Sequence, residues 1–172
     1  MAYTPCMNGT SAAAWIDALA MRPHPEGGWY AETWRAEAAG GAEVVGAGTV
    51  GTEGGRRAPG SAIYYLLEAG QVSRWHRIDA DELWHHYAGA PLELLHFAGP
   101  GPTGGAAAPV EEDLHRLLLG TDLGGGERPQ RRIPAGHWQR AITRGEFSLV
   151  GCTVSPAFMF ERFELAPPGW GL

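Results

Sequence analysis

The sequence predicts an all-β fold, a sandwich or closed barrel preceded by one short helix. From Gly27 onward, about ten short runs rich in aromatic, β-branched and aliphatic residues follow one another. Gly and Pro punctuate the intervals, as at Gly70, Gly89, Gly99-Pro100 and Pro134. A helical period occurs once, near the N-terminus.

Taken in order, residues 11–21 read as the helix: Ser11 caps it, and Ala12, Trp15, Ile16 and Leu19 recur on one side. Arg22-Pro23-His24-Pro25 ends it, because a residue that precedes proline is pushed out of the helical region. The barrel is expected over 22–172, with its first strand in Gly27 to Arg35. The Gly-rich stretch 38–60, poor in large apolar side chains, reads as a disordered loop or pocket lid. Strands are expected at Ala62–Leu67, Gln71–Ile78, Glu82–Tyr87 and Leu92–Phe97. After a Gly/Pro loop at 99–109 they continue at Leu114–Leu119, Gln130–Ile133, Gln139–Thr143, Phe147–Val154 and Phe158–Leu165. With no repeat or linker, the chain reads as one domain, 1–172.

Composition excludes several classes of function. The net charge of −6 argues against nucleic acid, whose phosphates need clustered cations. Lys is absent, so all thirteen basic residues are Arg, a trait of GC-rich coding more than of chemistry. No run approaches a membrane span, and no basic region precedes an apolar signal core, so a soluble cytoplasmic protein is expected. Two cysteines make no disulfide framework: Cys6 lies in a loose N-terminus, and Cys152, in an apolar run, reads as a small buried hydrophobe.

One stretch is more specific. Gly70, His76, Ile78, Glu82 and Gly89 match the spacing Gly-x5-His-x-His-x3-Glu-x6-Gly, with Ile78 in place of the second histidine. Pro134-Ala135-Gly136-His137-Trp138-Gln139 follows Pro-x-Gly-x2-His, with Gln139 in place of the third. These resemble the two cupin motifs. The glycine usually found six residues before that proline is Arg128 here. With HPEGGWY at 24–30, SRWHRIDADELWHHYAGAPLEL at 73–94, LVGCTVSP at 149–156 and APPGW at 166–170, the chain is similar to small single-domain cupins of unassigned function. The resemblance implies a double-stranded β-helix, or jelly-roll barrel, of the kind shared with the dTDP-sugar 3,5-epimerases (an RmlC-like fold). It also implies a homodimer.

Strand alternation is a second route to the site. With Asp79-Ala80-Asp81 as a hairpin turn, Ile78 pairs with Glu82, His76 with Trp84 and Arg74 with His86, all on one face. His76 and Glu82 are then diagonal neighbours, roughly 7 Å apart. A face bearing Arg74, His76, Glu82 and His86 is too polar for an ordinary core and reads as the pocket. The other face, with Trp75, Leu83 and Tyr87, needs a cover: a partner subunit or the N-terminal segment.

A full cupin site offers three His and one Glu to a transition metal. Here the equivalents are His76, Ile78, Glu82 and Gln139; isoleucine cannot coordinate and a neutral amide is a weak ligand. His86, about 13 Å along the strand from Glu82, cannot restore the set. The expectation is no cofactor, or a weakly bound divalent transition metal on His76, Glu82 and Gln139. Proton transfer is the chemistry that remains. His76 is the base, with Glu82 setting its tautomer and raising its pKa. Arg74, His86, Gln139, Glu26 and Tyr65 are the ligand-binding candidates, and the acid is one of Tyr30, Tyr64, Tyr65 or His86.

The other residues have plainer readings. The turn at 24–28 either lines the pocket mouth with Glu26 or exists for its glycines. Arg128, Arg131 and Arg132 read as a solvated edge, Pro167 to Trp170 as a tail packed on the barrel, and His96, His115 and His137 as surface or core. Three functions follow from one pocket: an acid–base isomerase or epimerase of a sugar or nucleotide-sugar-like metabolite, a small-molecule-binding cupin without turnover, and a metal-dependent oxygenase or lyase.

Overall fold

The computed structural model describes residues 10–37, 57–102 and 107–171. The helix α1 is shorter than its periodicity predicts, Ala12–Ala18, with the Ser11 hydroxyl accepting from the Ala14 amide at 3.3 Å. It stops early because Leu19 leaves helical geometry and Ala20 turns left-handed, at φ 49°. No helix among the described residues is long and apolar enough to cross a membrane.

Eleven strands follow among the described residues: β1 Arg22–Pro23, β2 Trp29–Arg35, β3 Ser61–Glu68, β4 His76–Arg77, β5 Asp81–Gly89, β6 Leu92–Phe97, β7 His115–Leu119, β8 Gln130–Ile133, β9 Trp138–Thr143, β10 Phe147–Ser155 and β11 Glu164–Leu165. They form two antiparallel sheets, ordered β1-β2-β3-β10-β5-β8 and β11-β4-β9-β6-β7. Period-two alternation turns one set of side chains inward from each sheet. Tyr65, Leu67, Trp84, Val150 and Cys152 of the larger sheet thus pack against Leu92, Leu94, Leu119 and Ala141 of the smaller, which is the barrel core.

Three expectations are corrected. The first is the 71–78 strand, of which only His76–Arg77 joins a ladder. Upstream, the Ser73 amide donates to Ala141 and the Arg74 amide to Glu26, so these backbone donors are satisfied outside a strand pair. The second is the hairpin between that strand and β5. Residues 78–80 carry the chain from one sheet to the other: β4 pairs with β9 and β11, while β5 pairs with β10 and β8. His76 and Glu82 therefore face each other from opposite walls of the barrel and are not neighbours on one face. The third is 158–165, where a 3₁₀ turn at Phe160–Arg162 and the two-residue β11 replace a full strand.

The cover expected over Trp75, Leu83 and Tyr87 is divided between the tail and the N-terminal segment. Trp75 belongs with the smaller sheet and is closed over by the tail, Trp170 lying 6.3 Å from it and 5.1 Å from Trp138. The N-terminal helix covers the larger sheet, as one of the two expected covers, with Trp15, Ile16 and Leu19 packing with Leu66, Tyr64, Ala88 and Leu149. Tyr87, on that same outer side, remains half exposed. Of the 38–60 loop, residues 38–56 lie outside the described residues. The remainder is fastened down: Arg57 Nε donates to the Ala157 carbonyl at 2.6 Å, and the guanidinium pairs with Asp79.

Candidate active site

The site starts from a turn. His24-Pro25-Glu26-Gly27-Gly28 links β1 to β2, closed by the His24 amide on the Gly28 carbonyl at 3.0 Å. Gly27 and Gly28 have φ of 111° and 71°, and a Cβ would stand 2.8 Å from the Val72 carbonyl oxygen and 2.6 Å from that of Leu66, respectively. Only glycine permits both the conformation and the approach. The Glu26 carbonyl accepts from the Arg74 amide at 2.7 Å, which fixes the turn against the segment leading into β4. The two readings of this turn therefore hold together: the glycines shape it, and it delivers Glu26 into the interior, 5% exposed.

There Glu26 meets His76. His76 Nδ1 lies 2.8 Å from the Arg74 carbonyl oxygen and 3.3 Å from Glu26 Oε2. A carbonyl only accepts, so Nδ1 carries the proton and Nε2 keeps its lone pair. No described residue hydrogen-bonds Nε2. Glu82 does not set the tautomer, contrary to expectation; Arg74 and Glu26 do. Nor is the pKa of His76 raised. Burial lowers it, and the Glu82 charge only partly opposes that. His24 Nδ1 lies 3.5 Å from Glu26 Oε2, and its pKa falls to about 3, chiefly through burial.

On the opposite wall, Glu82 is held by Gln139 Nε2 at 2.5 Å, and Trp84 Nε1 donates to Gln139 Oε1 at 3.2 Å. An indole only donates, so the amide orientation is forced and its nitrogen faces the carboxylate. Burial raises the pKa of both carboxyls, Glu26 to about 8. The Tyr65 hydroxyl donates to the Gly27 carbonyl at 2.7 Å and also interacts with Glu26; burial raises its pKa further. Cys152 is buried in the core as expected and lies close enough to Glu82 to feel its charge.

His76, Glu82, Glu26, Gln139 and Tyr65 are thus brought together, each no more than 7% exposed. Arg74 contributes through its carbonyl, while its guanidinium turns to the Ala166 carbonyl. His86 stays apart, its Nε2 3.2 Å from the Ala90 carbonyl oxygen. Of the other acid candidates, Tyr64 packs outward on Tyr87 and Tyr30 lies edge-on to His24. Phe163, partly exposed, lies over the His76 ring at 5.5 Å, so access from that side runs past it.

The donor set does not fit a metal. The Gln139 oxygen is taken by Trp84 and its nitrogen faces Glu82, Ile78 packs with Val154 and Phe163, and no group of three His, Cys, Asp or Glu among the described residues is arranged to hold an ion. His96 and His137, for which the sequence offered no partner, meet at 3.0 Å between Nδ1 atoms, with His115 stacked on His96 at 5.0 Å. Pairing of His96 with both His115 and Gln139 across strands assembles this group, and spacing along the chain gives no sign of it. The arginines 128, 131 and 132 turn to backbone carbonyls and Asp81, as a solvated edge would.

Residues 13–166 match the family described as Cupin superfamily (DUF985). The chain belongs to this family. The cupin is also similar to protein SO0799 from Shewanella oneidensis, 35% identical over 91% of this chain and 84% of that one, with a TM-score of 0.70. A hypothetical protein from Leishmania major is 32% identical over 90% and 86% of the two chains, with a TM-score of 0.69. A dTDP sugar isomerase from Desulfovibrio desulfuricans G20 shares the fold, at 20% identity over 84% and 86% of the chains and a TM-score of 0.51. No match is found among curated proteins.

Proposed function

We propose that this cupin is a metal-independent isomerase or epimerase that moves a proton at carbon next to a carbonyl. One observation carries the reading: His76 has Nδ1 held by two acceptors and, among the described residues, no hydrogen-bond partner at Nε2, inside a cluster with two carboxyls. Neutral at pH 7 because burial lowers its pKa, it accepts the substrate proton at Nε2. The electron pair of the broken C–H bond passes to the carbonyl oxygen as an enolate. Glu82, whose pKa burial raises above the ordinary carboxyl value, faces it from the other wall and is the group placed to return a proton. Gln139 positions Glu82, and Glu26 with the Arg74 carbonyl positions His76. The sugar-like substrate class draws its support from the fold shared with a dTDP sugar isomerase.

The test is solvent exchange. Incubated in deuterated water with nucleotide sugars and keto sugars, the protein should incorporate deuterium at one substrate carbon. His76→Ala should abolish incorporation while ligand-induced stabilisation persists. Failure of every such substrate to exchange, with unaltered ligands that still raise the melting temperature, would replace this reading with the second one. That second reading, a binding cupin without turnover, is favoured by the near-complete enclosure of the cluster.

A further inference from the structure

Strand alternation gives β4 and β9 a second, outward set of side chains. His76 and Gln139 point inward, while their chain neighbours Trp75 and Arg140 point to the outer face of the five-stranded sheet. There a cavity of about 200 Å³ is walled by Trp75, Leu95, Leu114 and Ile142, with Arg116 and Arg140 reaching it. Its walls are apolar apart from these arginines and Glu111 on the rim.

The charges are unequal in their satisfaction. Arg116 is bound to both Glu111 and Glu93, and Glu93 also takes Arg144 at 2.6 Å. The carboxylates beside the cavity are therefore engaged. Arg140 makes no ion pair among the described residues; its guanidinium lies 5.8 Å from the Trp75 ring centre, and its Nε is buried without a hydrogen-bond partner. Burial weakens its hold on its proton. Arg140 is partly buried, so its Nε lacks both water and an acceptor, and among the described residues its guanidinium has an aromatic face but no anion.

We propose that this cavity is a second ligand site, which takes a small monoanionic carboxylate with a flat or branched apolar body. The guanidinium offers a two-pronged match to a carboxylate. The apolar walls and the indole receive the body. At about 200 Å³ the cavity has room for a body the size of a benzoate ring. Two arginines against Glu111 leave one net positive charge, which suits a monoanion better than a phosphate dianion. The site is separate from the barrel interior and does not depend on the chemistry proposed there.

Benzoate is the probe, with benzyl alcohol and inorganic phosphate beside it, followed by NMR of the intact protein. Benzoate should shift the Arg140 Nε–H and Trp75 indole N–H resonances along one saturable curve. Benzyl alcohol and phosphate should bind at least tenfold more weakly. Arg140→Gln should weaken benzoate at least tenfold, with its melting temperature recorded to confirm folding. The wild-type shifts are a test independent of that variant. Three outcomes would overturn the proposal: no saturable shift at Arg140, shifts confined to the His76 and Glu82 region, or phosphate binding as tightly as benzoate.

Discussion

The Gln139 amide bridges the two sheets to Glu82, its nitrogen 2.5 Å from the carboxylate oxygen, with Trp84 Nε1 on its own oxygen. Each partner in this relay is buried, so none can turn to water instead. Gln139→Leu should strand both the carboxyl and the indole, at a cost of about 2–4 kcal/mol. Urea unfolding checks this: the midpoint should fall with the slope unchanged. A loss under about 0.5 kcal/mol would mean that the two groups find other partners.

The pH dependence of stability isolates Glu26. Its carboxyl titrates at about 8 in the folded protein against an ordinary 4.5. Across that window the folded chain keeps a proton that the unfolded chain has lost, so stability falls as pH rises, by up to about 1.4 kcal/mol per pH unit. His24 and His96, lowered from 6.5 to about 3 and about 4, act in the opposite sense, but only below pH 6.5. Between pH 6.5 and 8 the fall should therefore be visible in urea midpoints. Glu26→Gln should reduce it, leaving the contribution of Glu82, which is raised in the same direction. An equal slope in the variant would show that Glu26 ionises normally.

The tautomer of His76 is open to direct measurement. Nitrogen-15 spectra at pH 7 should show the proton on Nδ1, the nitrogen held by Arg74 and Glu26. The ring should become protonated only below pH 6.5, since burial lowers the pKa. A proton on Nε2 would leave the proposed base without its lone pair.

Much of this site was legible because motif spacing reports which residues a barrel brings together, even when the pairing imagined for them is wrong. His76, Glu82 and Gln139 were found that way, although their strands belong to different sheets. What alternation could not show was the crossing at residues 78–80, since a three-residue passage between sheets and a hairpin turn have similar composition. Nor could it show the direction of the His76 shift, which depends on burial more than on the charge of Glu82. The His96, His115 and His137 contacts depend on which strands become neighbours, which a single sequence does not state.

Restoring the two replaced histidines tests the metal argument. Ile78→His with Gln139→His should create three His and one Glu at the cupin ligand positions. The double variant should bind close to one equivalent of nickel or zinc by calorimetry and elemental analysis, and added metal should raise its melting temperature. The parent should show neither effect. Stoichiometric metal in the parent as purified would overturn the reading that Gln139 serves Glu82.

The turn at residues 24–28 lies outside both cupin motifs, yet it supplies Glu26 and receives the hydroxyl of Tyr65. A barrel trimmed to its two signatures would keep His76, Glu82 and Gln139 and look intact by any motif search. It would lack the carboxyl that helps hold the histidine's proton in place. The smallest working unit of this protein is therefore larger than its signature, and grafting the motifs onto another jelly roll would transplant the reactive groups without the arm that aims them.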